Sequence, residues 1–128
     1  MKTTLIARDI ILFENLAQYD YGSEFIDLHN EFSCMELTFD EGCLCIGFLN
    51  DNDLTRVWLR FANVEMVKIE HLVLKTSYDI DLLYRGRYQN DGELVEMKNN
   101  KGYFYLDFVD GQHFEFWSSE LEVCNGSQ

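Results

Sequence analysis

Apolar and polar residues alternate regularly between residues 103 and 117, and this alternation predicts a β-hairpin. If residues 109–111 form a three-residue loop closed by Gly111 in the left-handed conformation, the apolar side chains of both strands share one face. They are Phe104, Leu106, Phe108, Phe114 and Phe116. The opposite face then carries three favourable cross-strand pairs, namely Asp107 with His113, Tyr105 with Glu115 and Tyr103 with Trp117.

A second hairpin is predicted around a two-residue turn at Glu41 and Gly42. This turn would produce an apolar face over two strands, with Phe39 opposite Leu44, Leu37 opposite Ile46 and Met35 opposite Phe48. A four-residue loop at residues 50–53 then adds a third strand, with Val57 opposite Ile46 and Leu59 opposite Leu44.

The strands near residue 100 are predicted by the same reasoning. A loop at residues 99–102 would pair Met97 with Phe104 and Val95 with Leu106, which adds a strand at 93–98 to the first hairpin. Asp91 and Gly92 form the turn before it. Residues 64–74 and 78–88 are rich in Val, Ile, Leu and Tyr, and this composition is typical of longer strands.

Residues 1–22 form an N-terminal segment whose structure the pattern leaves open. The apolar residues within 4–21 lie near helical spacing, which favours a helix: Leu5, Ile6, Ile10, Phe13, Leu16 and Ala17. The run at residues 10–13 alternatively fits a buried strand. At the other end, residues 125–128 are expected to fray.

Turn signals recur at short intervals from position 40 onward, a spacing typical of all-β proteins. The sequence therefore predicts a mainly β protein, which would be α+β at most if the N-terminal segment forms its short helix rather than a strand. Its antiparallel meander would form a strongly twisted sheet, a sandwich or a partly open barrel. The 128 residues suit a single domain over 1–128.

The charge balance excludes one large class of function. The chain has 23 acidic and 10 basic residues, for a formal net charge of −13. Such a surface repels nucleic acid and attracts cationic partners. A hydrophobic content of 47% is too high for an intrinsically disordered chain.

The N-terminal residues offer neither a secretory apolar region nor a membrane span, since Arg8 and Asp9 interrupt the first apolar run. The four cysteines show no disulfide-framework spacing, which indicates reduced thiols and a cytoplasmic protein. Cys43 and Cys45 lack a second pair at ligand spacing, so no metal site is predicted.

No catalytic motif emerges from the titratable residues. His29, His71 and His113 are far apart in sequence and belong to no known ligand or nucleophile pattern. Neither a nucleophile elbow nor a glycine-rich phosphate loop occurs. We therefore expect a protein without enzymatic activity and without a cofactor.

The acidic turns suggest a binding surface. In a simple meander, alternate turns meet at one end of the sheet, which would gather Asp40, Glu41, Asp91, Glu93 and Asp110 there and place Lys75 and Lys101 at the other end. Tyr103, Tyr105 and Trp117 on the outer face of the last hairpin would supply aromatic anchors. These eight acidic and aromatic residues are the predicted contacts to a basic protein.

Four segments together resemble a known class of proteins. They are the run from Phe25 to Glu31, the strand at 35–39, the run from Val57 to Val64, and the closing region at 103–123. Their order is similar to that in small β-rich immunity proteins of bacterial polymorphic-toxin systems. The resemblance implies a compact acidic domain that binds and blocks a cognate toxin, and it assigns no functional residue.

Two functions follow as hypotheses. The first is a protein-binding module, an immunity-type inhibitor that neutralises a basic toxin through an acidic surface. The alternative is a non-catalytic carrier that holds a small apolar ligand inside a barrel or sandwich.

Overall fold

The computed structural model describes residues 1–22, 24–73 and 75–127, with the backbone alone for Ser127. These residues are mainly antiparallel β, as the sequence predicts. The first seven strands are β1 (Lys2–Ile6), β2 (Gln18–Asp20), β3 (Phe25–Asp27), β4 (Phe32–Asp40), β5 (Cys43–Asn50), β6 (Thr55–Ala62) and β7 (Glu65–Glu70). The others are β8 (Ile80–Gly86), β9 (Tyr88–Asn90), β10 (Glu93–Val95), β11 (Met97–Lys98), β12 (Lys101–Phe108), β13 (His113–Ser118) and β14 (Glu120–Ser127).

Two larger sheets form the body of the molecule. The first sheet has the strand order β1-β14-β6-β5-β4, and the second has the order β11-β12-β13-β7, with β8 also pairing with β12. The meander is observed for β4, β5 and β6, but strands distant in sequence pair elsewhere, as β6 does with β14 and β7 with β13. The sheets do not close into a barrel.

Aromatic side chains fill the space between the two sheets. The ring centroid of Phe61 on β6 lies 5.1 Å from that of Phe104 on β12 and 4.9 Å from that of Phe116 on β13. All three side chains are fully buried. Each contributes about 1.5–3 kcal/mol relative to an exposed position, so this contact is a major source of sheet-to-sheet cohesion.

The predicted hairpin at 103–117 is confirmed in register. β12 and β13 make all three predicted outer-face pairs. The N–H of Phe108 donates to the carbonyl of Gln112 over 2.9 Å, and Gly111 has the expected left-handed φ of 98°. Because one face had to collect every apolar side chain, the residue pattern was sufficient to fix the loop length.

The β4–β5 hairpin is confirmed from Asp40 to Leu37, but the predicted pairing of Met35 with Phe48 is wrong. A β-bulge places Cys34 opposite Phe48 and leaves Met35 as the extra residue. The cause lies on the other edge of β4, where the backbone of Cys34 pairs with Tyr78 through hydrogen bonds of 2.7 and 2.9 Å.

The β5–β6 register is shifted by two residues from the prediction, so that Ile46 faces Leu59 and Leu44 faces Phe61. The loop is longer because side chains bond to its backbone. Asn50 Oδ1 accepts from the N–H groups of residues 52 and 53 at 2.8 and 3.1 Å. A shift of two residues keeps every side chain on its predicted face.

The predicted pairs of Met97 with Phe104 and Val95 with Leu106 are wrong. Met97 faces Gly102, and Asn99 and Asn100 form a tight turn with φ of 51° and 63°. β10 turns away from this sheet and pairs with β9 across the predicted turn at residues 91–92. β8 takes the vacated edge of β12 instead.

The helix favoured for residues 4–21 is wrong, and so is a strand at 10–13. Residues 2–6 form an edge strand on β14, a 3₁₀ turn follows at Ala7–Asp9, and the chain then runs beside β8. There the N–H of Phe13 bonds to Arg85 O and that of Leu16 bonds to Leu83 O, at 2.8 and 2.6 Å. Phe13 has φ of 66°, which no α-helix accommodates.

Two predicted strands and the predicted C-terminal tail differ from the observed elements in where they begin or end. The strand predicted at 64–74 ends at Glu70, and residue 74 lies outside the described residues. The strand predicted at 78–88 is divided between β8 and β9. β14 continues to pair with β6 as far as Ser127, so the expected tail begins inside a strand.

In the described part of the chain, α1 (Leu28–Glu31) is the one α-helix, and no helix is long and apolar enough to cross a membrane.

Candidate protein-binding surface

The outer face of the second sheet carries a cluster of aromatic and charged side chains. Residues of β12 and β13 that do not point into the core lie here, because side chains alternate along a strand. We call this the outer-face cluster; its members are Tyr84, Tyr88, Tyr103, Tyr105, Asp107, His113, Glu115 and Trp117. It contains the three aromatic residues predicted as anchors.

The aromatic members pack in two layers. Tyr103 lies against Trp117 with 4.9 Å between ring centroids, and Tyr88 covers both rings at 5.0 and 5.6 Å. Tyr103 and Trp117 are therefore buried, at 0% and 2% exposure. Tyr105 stays half-buried, so it presents part of its ring to solvent while the other two support the face from beneath.

A glycine shapes the position of Tyr105. Gly86 at the end of β8 lies beneath its ring, where a Cβ atom would come within 2.7 Å of Tyr105 Cε1. The missing side chain lets Tyr105 and Tyr84 stack almost parallel, with centroids 5.0 Å apart and planes at 15°. The Tyr105 hydroxyl donates to the carbonyl of Arg87 at 2.7 Å, which fixes the ring further.

The imidazole of His113 lies between two carboxylates. Its Nδ1 is 2.5 Å from Asp107 Oδ1 and its Nε2 is 2.6 Å from Glu115 Oε2. Partial burial alone would lower the pKa of His113, but hydrogen bonds and charges from Glu115 and Asp107 outweigh it and raise the pKa. An imidazolium can donate to both neighbours at once, as this geometry requires.

Glu115 has three neighbours. Beyond His113, the Tyr103 hydroxyl donates to its Oε1 at 2.7 Å, and Lys68 Nζ lies 3.8 Å from Oε2. Burial would raise the pKa of Glu115, whereas these donors hold it below its usual value. Burial and the nearby Glu115 charge raise the pKa of Tyr105 to about 12, so this phenol stays neutral at physiological pH.

The histidine of this network is not placed to act as a general base. A general base needs a ring nitrogen free to take a proton from a substrate, whereas both nitrogens of His113 face carboxylates. Next to the network lies a shallow cavity of about 440 Å³ between β7 and β9, lined by Tyr88, Tyr105, Glu115 and Lys68 among others. Aromatic faces beside a carboxylate can hold a cationic side chain.

Two of the predicted acidic residues lie on the hairpin that covers this cluster. Asp91 and Glu93 are exposed, and neither forms an ion pair with another described residue. The hairpin begins at Tyr88, inside the cluster. Asp91 is three residues further, about 10 Å along the strand. The structure therefore places Asp91 and Glu93 on the hairpin whose first residue, Tyr88, packs on Tyr103 and Trp117.

The other predicted acidic residues lie elsewhere. Asp40 ends β4 and Glu41 follows in the two-residue turn. This turn contacts the residue before β7, since the N–H of Val64 donates to Gly42 O over 2.7 Å, and the next residue, Glu65, pairs with Trp117. Asp110 precedes β13 at its opposite end and is paired with Lys75.

The five acidic residues therefore do not gather at one end of a sheet. Lys75 was predicted at the other end of the sheet from Asp110, but the two side chains form an ion pair. The expectation assumed that successive strands are neighbours in one sheet. Instead β7 crosses to the second sheet and pairs with β13, which separates the turn at 40–41 from that at 110.

Several cluster members were not identified as site residues from the sequence. His113 was predicted as the cross-strand neighbour of Asp107 and Glu115 as that of Tyr105, but the contact between Glu115 and the histidine was not predicted. Tyr84 and Tyr88 lie within a predicted strand, yet no local signal shows that a break at Arg87 directs Tyr88 over Trp117.

Other candidate chemistry has local structural explanations. His29 Nδ1 bonds to the carbonyl of Ile80 at 2.6 Å and ties α1 to β8. All four cysteines are free thiols. Among the described residues, no group of three His, Cys, Asp or Glu side chains is arranged to hold a metal ion.

Comparison with known proteins finds no matching family model, no matching curated protein and no matching solved structure.

Proposed function

We propose that this protein is a protein-binding module that recognises a basic partner through the outer-face cluster and the β9–β10 hairpin. An inhibitor of the immunity type, which neutralises a basic toxin, is the specific form that we propose. The observation that carries the proposal is the position of exposed Asp91 and Glu93 on a hairpin built directly on the aromatic cluster.

The electrostatics support a basic partner. Acidic residues exceed basic ones by 13, and long-range attraction would speed the encounter with a cationic surface. Two exposed carboxylates lie on the same hairpin as the half-buried ring of Tyr88, so one element supplies both charge and aromatic contact area. Binding hot spots combine these features, with the aromatic residues excluding water from the charged contacts.

The rigidity of the face also favours protein recognition. Tyr103 and Trp117 are locked beneath Tyr88, and Tyr105 is held by stacking and by its hydrogen bond. A partner would therefore meet rings that already occupy one conformation, so little side-chain entropy is lost on binding.

The alternative, an internal carrier of a small apolar ligand, has less support. It requires space between the sheets, where Phe61, Phe104 and Phe116 pack with centroids 4.9 to 5.7 Å apart. Such spacing is direct ring contact.

The test is affinity capture from a lysate of the source organism at low and high salt. The bait is the full chain, compared with the variant Asp91→Asn/Glu93→Gln. Asparagine tolerates the left-handed φ of 49° at residue 91, so the turn is preserved. We expect a basic protein to be retained at low salt, less at high salt, and several-fold less by the variant.

The matched control is Asp20→Asn/Glu31→Gln, which removes the same charge from β2 and α1. Asparagine at position 20 can still accept the Gly22 N–H bond of 3.0 Å. The control should retain the partner like the wild type. If the captured protein is a toxin, co-expression should restore growth. Equal loss with both variants, or a partner that is not basic, would contradict the proposal.

A further inference from the structure

We propose that the groove between the edges of β4 and β7 binds an extended segment of the partner as an added β-strand, with apolar and basic side chains in alternation. This surface lies outside the outer-face cluster. The inference rests on the proposed function in taking a basic protein as the partner.

The groove is apolar and open to solvent. It has a volume of about 320 Å³ and lies where the two sheets diverge, lined by Met35, Leu37, Phe39, Met66, Ile69 and Leu72 among others. Phe39 is 50% exposed and Ile69 is 48% exposed, although each points toward the inner side of its sheet. Apolar side chains that line one groove and stay partly exposed are typical of an interaction site.

The β4 edge offers a backbone for pairing. β4 is the last strand of the first sheet, and Tyr78 occupies its free edge at Cys34. Between Glu36 and Asp40 no described residue pairs with that edge. Asp40 and Cys43 flank a two-residue turn and so form a bonded pair, which directs the N–H and C=O groups of Leu37 and Phe39 outward.

The side chains along this edge define the sequence that would fit. Leu37 and Phe39 point toward the groove, whereas Glu36, Thr38 and Asp40 alternate to the opposite face, and Glu36 also borders the groove beside the β-bulge. An added strand places its own side chains beside these in the same alternation. Its apolar residues would then extend into the groove, and its basic residues would lie beside Glu36 and Asp40.

The charges around the groove favour this occupant over a second copy of the chain. Glu36, Asp40 and Glu70 are exposed and form no ion pair with another described residue, while Lys75 is already paired with Asp110. Pairing of β4 with β4 of another copy would bring Glu36 and Asp40 of both chains together, and like charges on adjacent strands are unfavourable.

The experiment titrates the isotope-labelled full chain with a synthetic peptide of alternating lysine and valine, followed by NMR. A second peptide carries N-methyl groups at alternate residues, which removes the donors needed for strand pairing. We expect the first peptide to shift the amide signals of Leu37 and Phe39 and the N-methylated peptide to bind at least tenfold more weakly. The variant Phe39→Ser should weaken binding of the first peptide about tenfold.

The control variant is Phe25→Ser, which removes a phenylalanine of similar exposure on β3, outside the groove and the outer-face cluster, and should leave binding unchanged. Equal binding of both peptides, binding of neither, or a dimer in sedimentation that Phe39→Ser dissolves would overturn the proposal. Binding of dodecanoate in the groove without peptide binding would overturn it in favour of a small apolar ligand. Full capture of the basic partner by Phe39→Ser but not by Asp91→Asn/Glu93→Gln would overturn this proposal and leave the proposed function standing.

Discussion

The ring of Tyr88 lies across Trp117, with 5.6 Å between the ring centroids and an angle of 66° between the planes. The ammonium of Lys98 approaches the same indole to 5.5 Å from its centroid. Together they leave Trp117 with 2% exposure on what would otherwise be the solvent face of the second sheet. The β9–β10 hairpin is thus attached to the sheet through its first residue.

Replacing Tyr88 with alanine should uncover Trp117 and loosen the hairpin. Truncation of a packed aromatic side chain to alanine lowers the free energy of unfolding by about 3–5 kcal/mol. We expect a loss of about 3 kcal/mol, because Tyr88 is only half-buried. In a Trp58→Phe background, the tryptophan fluorescence reports residue 117 alone and should shift to the red. Tyr88→Phe keeps the ring and should preserve both the spectrum and the free energy of unfolding. An unchanged emission maximum in Tyr88→Ala would show that the hairpin does not cover Trp117 in solution.

The sequence predicts strand register correctly where only one turn length places all the apolar side chains on the same face. The β12–β13 register follows from collecting five apolar residues on one face, and the structure reproduces it. The β4–β5 turn at Glu41 and Gly42 is correct for the same reason. In both cases the strands that pair are separated by two or three residues, so turn geometry alone sets their register.

The sequence was insufficient where distant residues decide the structure. Ile10, Leu16 and Ala17 are buried as expected for the apolar side of a helix, but they pack against the sheets from an irregular segment bonded to β8. The bulge at Met35 depends on Tyr78, more than 40 residues away. The candidate surface depends on Tyr88 in the same way, because its place over Trp117 follows from tertiary pairing.

Gly47 on β5 should be intolerant of a side chain. A Cβ atom there would lie 2.5 Å from Trp58 Cζ3 on the neighbouring strand, so the indole would have to move. We expect Gly47→Ala to lower the free energy of unfolding by about 1–3 kcal/mol in urea titrations. Gly126→Ala is the matched control, since no atom lies within 4 Å of its added Cβ.

A double variant separates this clash from a loss of backbone freedom. If the clash is responsible, Gly47→Ala should cost much less in a Trp58→Leu background, because the obstructing ring atoms are gone. An equal cost in both backgrounds would assign the effect to the backbone of β5.

The four free thiols should differ widely in reactivity. Cys43 is exposed, whereas burial raises the pKa of Cys34 to about 12 and keeps it protonated and out of reach. Burial also raises the pKa of Cys45 and of Cys124. Timed alkylation with iodoacetamide at pH 8, followed by peptide mass spectrometry, should label Cys43 first and Cys34 last. Labelling of all four at one rate in urea is the control, and early labelling of Cys34 without urea would contradict the assigned burial.

The His113 network should make stability depend on pH in a defined direction. Glu115 and Asp107 raise the pKa of His113 above its ordinary value of 6.5 despite partial burial. The charged imidazole therefore stabilises the folded state fully below about pH 6.5, and this contribution is lost as the pH rises through the folded-state pKa. Glu115 acts oppositely: its pKa is lowered from 4.5, so its contribution is lost as the pH falls below that value.

The wild type should therefore exceed His113→Gln in free energy of unfolding by the largest margin between about pH 4.5 and 6.5, and by a shrinking margin toward pH 9. Urea titrations across this range measure the margin, and NMR titration of the His113 ring measures its pKa. His71→Gln is the control for the substitution itself, because it alters an exposed histidine outside this network. A His113 pKa below 6.5, or a margin that grows toward pH 9, would mean that the carboxylates do not hold the imidazolium in solution. The cluster would then lack the charge arrangement that fixes Glu115 beside Tyr105.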